Sequence, residues 1–172
     1  MSSTTKKYKD YFKRGREAEN CFKRTMKRFG HPCKKSPIKS DIYGKWDFSC
    51  ELPFKVDVKT SRRFNKEDID PNDAYVVLEI KNVKGNEGSL YGQAQFFAYE
   101  IGNYFYLVST KALRLWVSIM VDMDDYVSSV REAYKKVYTR NGRDDLMTII
   151  PLQLAKDMAS FSCLKDMHEV KT

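Results

Sequence analysis

Two short runs of alternating side chains, separated by Leu52 and Pro53, constrain this chain more than anything else in it. From Trp46 to Glu51, apolar Trp46, Phe48 and Cys50 alternate with polar Asp47, Ser49 and Glu51. From Phe54 to Ser61, apolar Phe54, Val56 and Val58 alternate with Lys55, Asp57, Lys59 and Ser61. Successive strand side chains point to opposite faces, so a period of two predicts two strands, each with one apolar and one polar face. Only Leu52 and Pro53 remain to join them, which predicts a hairpin bringing Asp47 level with Asp57 or its neighbour. Where the polar faces coincide, two carboxylates and the Lys59 ammonium share one patch. That combination suits holding a metal ion beside a charge-stabilising group.

Upstream, a helix is predicted over residues 5–29. Tyr8, Tyr11, Phe12, Gly15, Ala18, Phe22, Met26 and Phe29 recur every three or four positions, and Gly30 and Pro32 end the pattern. Glu19 falls inside that stripe, whereas Glu17 points into the Lys/Arg face. A carboxylate on a buried stripe is costly unless it meets a cation, so Glu19 joins the candidate group. A salt bridge to a lysine at the edge of the core is its plainer account. Asp41, in the basic loop 34–44, belongs to no alternating pattern and is set aside. Downstream the pattern predicts a turn at 70–73, a strand over 75–83, a helix over 90–100 and a strand over 104–109. Helices follow over 111–121 and 125–138, then an edge strand over 146–150 and a short helix opening at Pro151. Asp122, Asp124 and Asp125 read as a cap with solvated charge.

At 172 residues the chain suits a single domain, with a core over about 5–110 and a helical extension over about 111–172. No apolar run reaches the ~18 residues that a membrane span needs, and the first residues carry no apolar signal region. The four cysteines, Cys21, Cys33, Cys50 and Cys163, form no CxxC pair. Reduced thiols, a cytoplasmic location and no membrane partner are expected. His31-Pro32-Cys33 lacks a second ligand pair, which argues against zinc. Charge is spread unevenly: residues 1–63 hold 18 of the 31 Lys and Arg but only 7 of the 23 Asp and Glu. A basic front around a carboxylate cluster favours a polyanionic partner, because phosphate contacts release counterions.

The order helix, strand, strand, strand, helix, strand, with Glu19, Asp47 and Asp57-Val58-Lys59 at its front, resembles the PD-(D/E)xK nuclease superfamily over about residues 5–110. That family's pattern has an Asp on its second core element, an Asp/Glu-x-Lys on the next strand and often a Glu from the first helix. Trp46 stands here where the pattern has Pro. The resemblance implies an α/β fold: a restriction-endonuclease-like αβββαβ core with a mixed sheet flanked by helices, plus a C-terminal helical extension. It implies a Mg²⁺-dependent deoxyribonuclease, with Mn²⁺ substituting, in which Glu19, Asp47, Asp57 and Lys59 are catalytic. The metal ligands would be Asp47, Asp57, the Val58 carbonyl and Glu19. Phosphodiester hydrolysis needs a hydroxide near neutral pH and relief of developing negative charge, which such a set supplies.

Gln95 and Tyr99, with Gln93 nearby, look like the Q-x-x-x-Y accessory motif of the superfamily's exonuclease branch. A rival register also stands: Glu79-Ile80-Lys81 is an E-x-K, for which Asp57 would be the upstream Asp. Lys13, Arg16, Arg62, Arg63 and Lys66 are expected backbone contacts, with Tyr8, Tyr11 and Tyr43 as stacking surfaces. Branched-DNA resolvases of the superfamily are similar in scale and work as dimers. A structure-selective endonuclease is therefore one form of the expectation, with DNA, or else RNA, and a second copy of the chain as partners. Two other classes stand beside the enzyme: a nucleic-acid-binding protein that keeps the fold without cutting, and a structural or protein-interaction module.

Overall fold

The computed structural model describes residues 3–38, 40–50, 54–63 and 74–166. Helix α1 (Ser3–Arg28) opens the chain. It stops where Gly30 adopts φ +80° and the N–H groups of Gly30 and His31 return to the carbonyls of Lys27 and Met26. A left-handed residue at this point turns the chain out of the helix, and glycine takes that conformation without a Cβ clash.

Among the described residues two sheets form. The first runs β1 (Cys33–Lys35), β2 (Phe48–Cys50), β3 (Lys55–Thr60), β6 (Phe96–Ile101), β7 (Tyr104–Ser109) and β11 (Ala159–Leu164) in spatial order. The second runs β4 (Arg62–Arg63), β5 (Ala74–Lys81), β10 (Leu146–Pro151), β9 (Val137–Tyr138) and β8 (Tyr126–Val127). The first sheet is mixed: β1, β2 and β3 are antiparallel in turn, β3 and β6 are parallel, and β7 and β11 are antiparallel again.

Alternation assigns the two faces of this sheet to different partners. Phe48, Cys50, Val56, Ala98, Phe105 and Leu107 pack against Cys21, Phe22 and Met26 of α1. Phe22 anchors that layer, edge-on to Phe105 at 5.2 Å and tilted against Phe48 at 5.9 Å. The opposite face presents Phe97, Tyr99, Ile101 and Val108 to Val76, Leu78 and Ile80 of β5. Helices α2 (Thr110–Met120) and α3 (Leu152–Asp157) add Leu113, Val117 and Ala155 to the same core. The two faces of β3 therefore look into two separate interiors.

The α/β class and the mixed sheet agree with the sequence reading, as do α1, the strand pair within 48–60, β7, α2, α3 and the existence of β10. Several expectations are corrected. Residues 90–100 are not a helix but a 3₁₀ turn (Ser89–Tyr91) followed by strand β6. Phe97 and Tyr99 are buried on one face of β6 and Ala98 on the other, so the apolar run is continuous, as in a strand covered on both sides. The strand expected to follow β3 in the core, β5, belongs to the second sheet, and β6 takes the place beside β3. Residues 125–138 form β8, a 3₁₀ turn and β9 rather than a helix; Lys135, at φ +61°, breaks the helical path. Strand β10 lies in the middle of its sheet, not at the edge. The region after residue 110 is not a helical appendage, because β11 completes one sheet and β8, β9 and β10 the other. Cys33 and Cys50 stand opposite each other across β1 and β2 and form a disulfide, so the reduced state expected of all four cysteines holds only for Cys21 and Cys163. Among the described residues no helix is long and apolar enough to cross a membrane.

Candidate functional site

Asp47 sits where β2 begins to run beside β3. Its main-chain N–H donates to the Val56 carbonyl at 2.7 Å. Two residues further along the same edge, its Oδ2 accepts the Val58 N–H at 2.6 Å, doing the work of a ladder carbonyl. The carboxyl therefore lies at the strand edge, between the two faces of the sheet. The approach to it is tightly built: Lys45 has φ +53°, and a Cβ on Gly92 would come within 2.7 Å of the Lys45 Cβ.

Asp57 projects from the face of β3 turned away from α1, and Lys59 follows it on the same face. Lys59 Nζ lies 2.7 Å from Asp57 Oδ2 and 5.2 Å from the centroid of the Phe97 ring. The Asp57 side chain is almost wholly enclosed, whereas that of Lys59 keeps 30% of its surface open to solvent. Asp47 lies close enough to Asp57 for the Asp57 charge to be felt there. Burial, reinforced by the Asp57 charge, pushes the Asp47 carboxyl up to about 8, against the pull of the Val58 N–H. Burial also raises Asp57, with Lys59 opposing it. For Lys59, burial acts most strongly, against the ammonium, but Asp57 with the charges of Asp47 and Glu79 together outweigh it and hold the lysine above its ordinary range. Two carboxyl groups thus share a site in which the Asp57 charge resists ionisation of Asp47, a state that a cation relieves.

Glu19 is placed differently from the other three. Its helix packs on the opposite face of the sheet, so it does not share a face with Asp57 and Lys59. Its Oε2 pairs with Lys35 Nζ at 2.9 Å, and that bond is the main reason the lysine is raised. The Glu19 charge still reaches Asp47 at the strand edge. Among the described residues no three His, Cys, Asp or Glu side chains stand close enough to form a metal-holding group. The expected set of Glu19 with both aspartates is therefore reduced to the aspartate pair. Mg²⁺ commonly takes only one or two protein carboxylates and fills its shell with waters and substrate oxygens, so Asp47 and Asp57 fit that demand.

The accessory residues separate. Glu79 lies in the second sheet, where its Oε2 accepts the Ser89 N–H at 3.0 Å; its charge is felt at both Asp57 and Lys59. Lys81 is exposed at the end of β5. Gln95 and Tyr99 do not share a helix face, since Tyr99 is in β6, in register with Lys59 of β3. Gln95 Oε1 accepts the Lys55 N–H, and Gln93 Oε1 accepts from Lys55 Nζ at 2.6 Å. The Tyr99 hydroxyl is buried without a hydrogen-bond partner among the described residues. Burial first, and then the Asp57 charge, raise it well above the ordinary phenol value.

Lys13 and Arg16 are exposed on α1, Arg62 is exposed on β4, and Tyr43 is 80% exposed just ahead of Trp46. Arg63 ends β4, and Tyr8 and Tyr11 belong to α1. Lys66, the turn at 70–73 and the Leu52-Pro53 connection lie outside the described residues. The plainer account of Glu19, a salt bridge to a lysine, is what the structure shows, although no local pattern announces that the lysine is Lys35. Sequence reasoning misplaces Tyr99, for which the unbroken apolar run of β6 is the available signal.

The chain matches no protein-family model, no curated protein and no solved structure with which it was compared. What stands is an α/β protein with a buried Asp57, a half-buried Asp47 and a lysine beside them on a mixed sheet.

Proposed function

We propose that the protein is a metal-dependent nuclease that hydrolyses phosphodiester bonds in DNA. The observation that carries this reading is the cluster of Asp47, Asp57 and Lys59, a carboxyl raised by burial beside a carboxylate paired with an ammonium, meeting where β2 comes alongside β3. Asp47 and Asp57 would hold a Mg²⁺ or Mn²⁺ ion, with the Val58 carbonyl in reserve. When bound, such an ion lowers the pKa of a water and offsets charge on the phosphoryl group.

The chain's own residues divide the remaining work. Val58 N–H holds Oδ2 of Asp47 in place, and Lys59 holds the Asp57 carboxylate on the neighbouring strand. Lys59, partly open to solvent, stabilises negative charge on a phosphate oxygen or orients the attacking water. Lys13, Arg16 and Arg62 contribute exposed positive charge for the DNA backbone.

The element order also supports a restriction-endonuclease-like core: α1, then β1, β2 and β3 antiparallel in turn, then β6 parallel beside β3. The route from β3 to β6 departs from the αβββαβ pattern, since it passes through β4, β5 and a 3₁₀ turn. A second reading, a DNA-binding protein that does not cut, is favoured by the pairing of Lys35 with Glu19 and of Lys59 with Asp57, which already offsets part of the acidity.

Cleavage of plasmid and branched DNA with Mg²⁺ or Mn²⁺ separates the two. Asp57→Ala and Lys59→Ala are expected to lower the cleavage rate by roughly 10²–10⁴-fold while salt-sensitive DNA binding survives. Full turnover in both variants rejects this site, and loss of turnover in Glu79→Ala with Asp47→Ala active assigns the rival register instead.

A further inference from the structure

Helix α2 has a buried side and an outer side of unusual composition. Leu113 and Val117 face inward, and Val121 follows them into the same core. On the outward ridge stand Lys111, Leu115, Ser118 and Ile119, with Leu115 59% and Ile119 69% exposed. Met120 and Met123 are exposed close by. A groove of about 620 Å³ runs along this ridge, lined by Tyr91, Ala112, Arg114, Leu115 and Ser118 among others. Its wall is braced: the Arg114 guanidinium donates to the Leu90 and Gly92 carbonyls at 2.8 and 2.7 Å and lies 5.7 Å from the centre of the Tyr91 ring.

The charges along the ridge are opposite at its two ends. Lys111 is exposed at the start of the helix. Asp122 and Asp124 are exposed just past its end, and Asp125 there is already paired with Lys136 at 2.7 Å. The Asp122 N–H is tied to the Lys135 carbonyl, which fixes the acidic end in place. Lys111 and Met120, the last helical residue, are nine residues apart, about 14 Å along the helix axis, and the extended Val121 carries the chain on to Asp122. Leu115, Ser118 and Ile119 fall between Lys111 and Asp122, close to the midpoint.

We propose that this face of α2 is a homodimer interface in which two copies of the helix pack antiparallel about a twofold axis. That arrangement sets Leu115 and Ile119 of one copy against the same residues of the other. It brings Lys111 of each copy to Asp122 and Asp124 of its neighbour, so the opposite charges meet at both ends. An isologous contact must be complementary to itself, and a ridge with an apolar middle and opposite poles meets that condition. Ala112 and Ser118 are small enough to let the two backbones approach. Nucleic acid fits the face poorly, because its phosphates would meet Asp122 and Asp124. The interface does not depend on the nuclease reading and is tested without reference to activity.

Sedimentation equilibrium of the full chain at micromolar concentration is expected to give twice the 20.1 kDa chain mass. Leu115→Glu with Ile119→Glu should give the monomer mass with an unchanged circular dichroism spectrum. Lys111→Glu should weaken the dimer about tenfold, and adding Asp122→Lys should restore it. The charge exchange keeps the idea testable if the double apolar variant misfolds. A monomeric wild-type chain overturns the proposal. So does a dimer that survives the Leu115 and Ile119 changes, or a charge exchange that fails to restore association.

Discussion

The Asp47 carboxyl makes an unusual demand on stability that can be measured without any assay of catalysis. Its pKa rises from an ordinary 3.8 to about 8 in the folded protein, chiefly because it is buried and secondly because Asp57 is beside it. A raised value means that the folded state holds the proton more tightly than the unfolded chain does. The stabilisation is therefore complete below 3.8 and drains away as the pH rises through about 8. The stretch from pH 6 up to the folded-state value is roughly two pH units, and at about 1.4 kcal/mol for each it amounts to about 3 kcal/mol. For a chain of this size that corresponds to a fall in melting temperature of about 6–12 °C between pH 6 and pH 9.

The perturbation is Asp47→Asn, whose amide oxygen still accepts the Val58 N–H and whose amide N–H stands in for the carboxyl proton. Thermal melts in a chelating buffer at pH 6 and pH 9 should show wild type losing that extra stability and the variant keeping it. Replacing the chelator with Mg²⁺ should then restore wild type at pH 9 far more than at pH 6, because a ligand must be deprotonated to bind a metal. Parallel melting curves for wild type and variant across this range would refute the reasoning.

Two structural predictions can be checked by chemical denaturation. A Cβ at Gly88 would fall 2.1 Å from the Glu79 carbonyl oxygen, a backbone atom that cannot swing aside, so Gly88→Ala should cost about 3 kcal/mol. Gly15, with nothing within 4 Å of its added Cβ and a place inside α1, is the control: Gly15→Ala should gain up to about 1 kcal/mol. Cys33 and Cys50 are separated by 17 residues, so Cys50→Ser, or reduction of the wild type, should remove about 3 kcal/mol. Identical denaturation midpoints with and without reductant would count against the bridge.

How far the fold can be read from the sequence depends on whether each element has one wet side. The strands around Asp47 and Asp57 are legible because polar residues interrupt their apolar ones at every second position. Helix α1 is legible because Ala18, Phe22 and Met26 form a stripe beside a charged face. Strand β6 has no such contrast, being buried on both faces, and only together with the preceding turn does the stretch reach the length of a helix. In 125–138 the three- and four-residue spacing of Tyr126, Val130, Ala133, Tyr134 and Val137 imitates a helix. Their burial is in fact divided, Ala133 in a small cluster with Tyr75 and Ile149, and Val137 in the main core.

Within the site, the Asp57–Lys59 pair follows from local alternation alone. The Glu19–Lys35 pair cannot be read in this way, because it depends on β1 coming to rest near α1. Cysteine spacing likewise carries no pairing information, and the Cys33–Cys50 bridge emerges only with the strand register.

The bond from the Val58 N–H to Asp47 has an evolutionary corollary. A buried amide hydrogen left without an acceptor destabilises any fold, whatever chemistry that fold performs. A descendant of this chain without any catalytic activity would therefore still be selected to keep an aspartate or asparagine at position 47. Lys59 has no such second employment in the main chain: among the described residues its ammonium meets the Asp57 carboxylate, the Phe97 ring and whatever approaches from solvent. On the nuclease reading, it is at the lysine that forms which cut and forms which do not would differ.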